Sequence, residues 1–319
     1  MTGRICGTAR QDADRARRLI LRIHIPLVCC VLMESIQLKT RLGPLAWRSS
    51  GQGPALVFFA GAYANGELWR DVVTALADRY RCITVDLPLG AHRWPLAPGA
   101  DRSAQSLARL LLDCVELLDV EDATVVANDT AGGLLLLSLA SGHPALERVD
   151  RLVLTNCDSY EQFPPDALKK ASTMCRRFPR LARALVGLQV RSSAMRRRGV
   201  ATVTAHGVDP AREEAFFGPA RRDPAVVADV VAAMAGFRPQ LLVDAAAAIP
   251  RFEKPVLLIW GDADDFFPMA HAQRLLSDFP NASLVSVPGA KAWVPVDDPA
   301  AVADAIGAFV PTSPRPVRP

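Results

Sequence analysis

The chain has 319 residues, half of them hydrophobic, enough to bury the core of one large or two modest domains. Its formal charge of +4 is small for that length, and its seven cysteines are odd in number and scattered. No Cys/His finger spacing or aromatic–basic interleaving is present, which argues against nucleic-acid binding, a disulfide framework and a metal site; buried thiols in a reducing, cytoplasmic compartment fit better.

Residues 1–32 differ from the rest of the chain. Arg15, Arg17 and Arg18 precede an apolar run from Leu19 to Val28, as in a signal peptide. Arg22 and His24 interrupt that run, no small-x-small cleavage site comes after it, and the run is too short for a stable membrane span. The favoured reading is a disordered extension, or a start misassigned upstream of Met33. N-terminal sequencing of the native protein overturns the second if it begins before Met33.

From Met33 the pattern is regular. Ile36 to Arg41 and Leu45 to Ser49 predict a hairpin, and the apolar run Ala55 to Phe59 predicts a strand buried on both faces. A small-residue loop, Ala60 to Gly66, leads to a helix over Leu68–Ala77. Cys82 to Val85 is a further strand, and Ser103 caps an amphipathic helix reaching Leu118.

The central stretch comes next. The strand Ala123 to Ala127 enters Asn128-Asp129-Thr130-Ala131-Gly132-Gly133, and the apolar helical run Leu134 to Leu137 begins at once. Such a strand–turn–helix is the grammar of a nucleophile elbow: a strained turn with small flanking residues whose apex side chain stands clear of the sheet. Asp129 is the apex, and a helix N-terminus beneath it favours its ionised form. The plainer reading is a turn whose aspartate caps the helix. Leu152 to Thr155 is the next strand.

From Tyr160 to Arg251 the strand pattern stops and a proline-broken, arginine-rich helical segment takes over, including Arg176, Arg177, Arg196, Arg197 and Arg198. Most such charge is a solvated face; the alternative is attraction of an anionic substrate or surface. Strands then resume at Val256–Trp260 and Ala282–Val287, with helices at Met269–Asp278 and Pro299–Phe309. The alternation requires a mostly parallel sheet with helices on both faces and ligands at the carboxyl ends of its strands. The expected organisation is an α/β core over 33–159 and 252–310, a helical lid over 160–251 and a tail over 311–319.

Met33 to Val310 resembles the α/β-hydrolase fold. The resemblance rests on the Asn128 to Gly133 elbow, the loop after Phe59, Trp260-Gly261-Asp262-Ala263-Asp264 and Val287-Pro288-Gly289-Ala290-Lys291-Ala292-Trp293. An apex aspartate is similar to haloalkane dehalogenases and epoxide hydrolases, in which a carboxylate attacks carbon and a histidine activates water on the resulting ester. This resemblance implies Asp129 as nucleophile and Asp264 as acid, with Asp262, Asp265 or Asp158 as alternatives. It places the oxyanion hole at the N–H groups of Ala62 and Thr130.

Two departures stand out. Ala60 replaces the usual loop histidine, and Ala292 occupies the place of the triad histidine, where no side chain can take a proton. His92 is the histidine expected nearest the pocket, on its rim; His143 and His271 read as surface or boundary residues, His206 falls in the lid, and Lys291 reads as solvated. Tyr63 and Trp293 are either hydrogen-bond donors to a leaving group or pocket wall. No cofactor or metal is expected. The resulting expectation is an enzyme acting on a small, mostly apolar molecule. A lyase, isomerase or cyclase, or a ligand-binding protein that has lost its chemistry, is the alternative; oligomeric state is left open.

Overall fold

A computed structural model describes residues 35–312. The expected extension over 1–32 and the last residues of the tail lie outside them. Within the described residues the chain forms one eight-stranded sheet in the order β1-β2-β4-β3-β5-β6-β7-β8. The first hairpin is β1 (Ile36–Thr40) and β2 (Gly43–Ser50), and it joins the sheet antiparallel; β2 pairs antiparallel with β4 (Arg81–Val85). All later pairings are parallel: β3 (Ala55–Phe59), β5 (Ala123–Asp129), β6 (Val149–Cys157), β7 (Val256–Gly261) and β8 (Ala282–Val287). The fold is the α/β-hydrolase fold.

The continuous apolar runs behave as parallel strands covered on both faces must. Leu56, Val57, Phe58 and Phe59 are all fully buried, and Phe58 packs on Trp69 with ring centroids 5.2 Å apart. Each such side chain contributes about 1.5–3 kcal/mol by leaving water. By contrast β8 lies at the sheet edge and alternates exposed and shielded residues.

Helices cross between the strands. The helix expected from Leu68 opens instead as a tight turn over Gly66–Trp69, because Asn65 accepts the Glu67 N–H; α1 (Arg70–Leu76) comes after it. Helix α2 (Ala104–Leu117) starts where Ser103 accepts the Ser106 N–H at 3.2 Å. Helix α3 (Thr130–Leu139) leaves β5 without an intervening residue. Six helices stand between β6 and β7: α4 (Asp166–Arg177), α5 (Pro179–Arg191), α6 (Ser193–Val203), α7 (Pro210–Arg222), α8 (Pro224–Gly236) and α9 (Pro239–Ala245). They pack through buried Val186, Phe216, Val230 and Leu242. Then come α10 (Met269–Asp278), α11 (Val294–Asp297) and α12 (Pro299–Phe309). No single helix among the described residues is long and apolar enough to cross a membrane.

Candidate active site

Parallel strands bring their carboxyl ends to one edge of the sheet, and the centre of that edge is the end of β5. Asp129 sits there at φ 54° and ψ −130°, a left-handed conformation that a non-glycine residue adopts only when its surroundings impose it. Its side chain makes no helix-capping bond, so the plainer reading of this turn does not hold. Ala127 and Ala131 on either side are fully buried, which fits the expected need for small residues.

The loop after β3 closes over the carboxylate. The Ala62 N–H donates to Asp129 Oδ2 at 3.1 Å, and the Thr130 N–H lies against the same group. Gly61 makes this approach possible: a Cβ on it would stand 2.4 Å from Asp129 Oδ2 and 2.6 Å from Asp129 Cβ. The two donors expected from the sequence therefore converge, and they hold the apex carboxylate itself.

Electrostatics at the apex differ from the expectation of an ordinary ionised carboxylate. The exposed part of Asp129 faces a cavity rather than bulk water. Desolvation, reinforced by the nearby Asp264 charge, pushes its carboxyl up to about 7, against the opposing pull of the Thr130 and Ala62 N–H groups. Asp158, just beyond β6, is 1 % exposed, and its Oδ1 has no partner. Burial, with Asp129 beside it, holds the Asp158 carboxyl well above the usual carboxylate range. The Thr130 side chain reaches both carboxyls. Here too a glycine admits the contact, since a Cβ on Gly133 would fall 2.6 Å from Asp158 Cβ.

The facing side is built differently. Asp264, at the end of β7, is buried, whereas Asp262 and Asp265 are exposed. It accepts from Asn156 Nδ2 at 2.8 Å and from the Phe266 N–H at 2.9 Å, and burial raises its carboxyl. Ala292, after β8, is 1 % exposed, and its carbonyl accepts from Asn128 Nδ2 at 2.8 Å. A methyl group thus stands where the resemblance places a histidine.

Above Asp129 lies a cavity of about 250 Å³ lined by Ala62, Tyr63, Thr130, Phe217, Met234 and Trp293, with α4, α5 and α6 contributing Met174, Val186 and Val200. Burial pushes the Tyr63 hydroxyl far up, so it remains a donor. The indole N–H of Trp293 is buried without a partner, and its ring meets Phe216 edge-on at 5.1 Å. Both residues line the cavity, as expected.

His92 does not. It is 1 % exposed, its Nδ1 accepts from the Gly90 N–H, and its Nε2 lies 3.2 Å from Asp229 Oδ2. Asp229 also takes Arg102 Nε at 2.6 Å and the Leu96 N–H at 2.8 Å, so His92 ties the loop after β4 to α8. His143 is buried rather than at a surface, with Nε2 3.0 Å from Asp113. His271 bonds Ser159 Oγ through Nδ1 at 3.1 Å, and His206 is exposed. Lys291 is not freely solvated; its Nζ donates to the Ala201 carbonyl at 2.8 Å. None of these histidines lines the cavity over Asp129.

The sequence pattern of the alpha/beta hydrolase family matches residues 56–305. The chain belongs to that family. It is 29% identical over 285 residues to haloalkane dehalogenase 2 of Mycobacterium tuberculosis, covering 86% of this chain and 93% of that one. It is 28% identical over 272 residues to the magnesium-chelatase 30 kDa subunit of Rhodobacter capsulatus, covering 80% of this chain and 88% of that one. The crystal structure of an alpha/beta hydrolase fold protein from Burkholderia ambifaria superposes with a TM-score of 0.70 at 23% identity, over 86% of this chain and 98% of the other. Membership in a family with dehalogenase-like relatives makes an enzyme the expected kind of protein.

Proposed function

We propose that the protein is a cytoplasmic enzyme that acts on a small, mostly apolar molecule through Asp129. The observation that carries this reading is the strained apex aspartate on the floor of an apolar cavity, with its Oδ2 held by the Ala62 N–H. In its ionised form an Asp129 oxygen attacks an electrophilic carbon; a C–O bond forms, and the bond to the leaving group breaks with its electron pair departing. Tyr63 and Trp293 are the donors placed to receive that charge, and the donors at Ala62 and Thr130 hold the ester carbonyl. Hydrolysis of the ester needs a base for water, and Ala292 supplies none, so the ester is long-lived.

A second reading has its own support. A carboxyl near 7 exchanges protons efficiently at neutral pH, and Asp158, whose carboxyl is also raised by burial, lies beside it. That pair suits a lyase, isomerase or cyclase, in which Asp129 is general acid or base and no ester forms.

Intact-protein mass spectrometry after incubation with haloalkanes and epoxides separates the two. A persistent adduct on Asp129 supports attack without efficient release. Absence of both adduct and product overturns the nucleophilic reading. Turnover of any substrate that survives Asp129→Asn overturns both.

A further inference from the structure

Helix α5 carries two apolar stripes, centred about 120° apart round its axis. Ala182, Val186 and Val190 face the protein and are buried. Leu181 and Leu188 form a second stripe that is 53–57 % exposed, Phe178 extends it at 60 %, and Leu185 between them, 43 % exposed, borders the mouth of the cavity. Met195 on α6 adds a further exposed side chain at 44 %. The other large exposed hydrophobics among the described residues are single and scattered: Ile36, Leu117, Val243 and Val285. The inner stripe accounts for folding; the outer one does nothing for it.

Charge on the same segment is one-sided. Between Asp166 and Asp209 the sequence holds ten lysines and arginines and no acidic residue, although the whole chain carries only +4. Arg196 alone of its arginines is buried and paired, with Glu213 Oε1 at 2.6 Å. Arg180, Arg183, Arg191, Arg197 and Arg198 are exposed, and none has a carboxylate partner among the described residues. A merely solvated helix would not need leucines among these arginines.

We infer that the outer face of α5, with the arginines around it, docks on the surface of an anionic phospholipid bilayer. Leucines and a phenylalanine enter the boundary between headgroups and acyl chains, while guanidinium groups meet lipid phosphates. The stripe from Phe178 to Leu188 is about 15 Å long. That is short for a stable protein interface, which needs about 800 Å² per partner, but ample for a shallow lipid contact. The docked helix also forms part of the cavity wall, through Leu185, Val186 and Gln189. The inference needs no reaction at Asp129, so a chain without detectable chemistry still binds lipid.

Co-sedimentation of the full chain with vesicles of phosphatidylcholine, alone or mixed with phosphatidylglycerol, tests it. Binding should appear with the anionic lipid only and weaken with salt. An arginine at the surface is worth about fivefold in partitioning, so R180Q/R191Q/R197Q/R198Q should lower it at least about twenty-five-fold. F178S/L181S/L188S should lower it about tenfold. Both variants change exposed side chains and should keep the wild-type circular dichroism and melting temperature. Equal binding to neutral vesicles, no binding to anionic ones, or variants that bind like wild type would each overturn the proposal. So would self-association in sedimentation velocity that F178S/L181S/L188S abolishes, since a second copy would then cover the stripe.

Discussion

The two sides of the candidate site have been treated unequally. On the β5 side, Asp129 keeps its strained conformation, and Gly61 and Ala62 keep the close approach that positions its carboxylate. On the β7–β8 side, Asp264 is engaged by Asn156 and Phe266, and Ala292 is packed into the core. The strain at the apex has a cost of about 1–3 kcal/mol, sustained only because the surroundings over-determine it. Such a cost beside a face where Ala292 offers no proton acceptor separates, under the proposed reading, placing a carboxylate from regenerating it.

If that separation is right, Asp129→Asn gives the largest effect: adduct or product formation falls at least about a thousandfold, as for loss of a reacting group. Gly61→Ala should come next. Its new methyl cannot coexist with the Asp129 carboxylate, so reaction should fall about a hundredfold and stability by roughly 2 kcal/mol, read by denaturant unfolding. Ala292→His would repair the other side. It should shorten the lifetime of any Asp129 ester at least about tenfold in time-resolved mass spectra; an unchanged lifetime would mean that the β8 loop cannot present a base.

Smaller effects probe the charges. Removing the Asp264 charge in Asp264→Asn should lower the Asp129 carboxyl from about 7, moving the pH midpoint of adduct formation downward. Asp129 itself sets a stability gradient. Its folded value lies above its unfolded one, so its contribution to stability is full below about 4 and is lost as pH rises through about 7. Asp129→Asn removes that loss. It should melt at least about 2 °C higher than wild type at pH 8 and no higher at pH 4.

Much of this was legible in the chain because it is written locally. The β5–α3 turn, the Ser103 cap and the limits of β3, α10 and β8 follow from period, β-branching and small residues within a few positions. What failed depended on distant partners. His92 lies near the right strand end, yet Asp229, from a helix more than a hundred residues later, takes its ring. His143, in the turn after α3, is engaged by Asp113 on α2. For Asp129 the helix N-terminus is visible in sequence, whereas the enclosure of the cavity and the neighbouring Asp264, which raise its carboxyl, are not. The cavity wall, with Met174, Phe217 and Met234 drawn from three helices, carries no local signature at all.

The one-sided charge between Asp166 and Asp209 has a consequence away from any surface. Among the described residues outside that segment acidic side chains outnumber basic ones, so the positive charge of the described residues is concentrated on the helices that wall the cavity. An anion in solution therefore meets an attractive field there before it meets any side chain, over a range set by the Debye length of about 8 Å at physiological salt. Apolar solutes feel no such pull. Dissolved carboxylates and phosphates should thus arrive more often than their concentrations alone would give, and the bias should fade as salt is added.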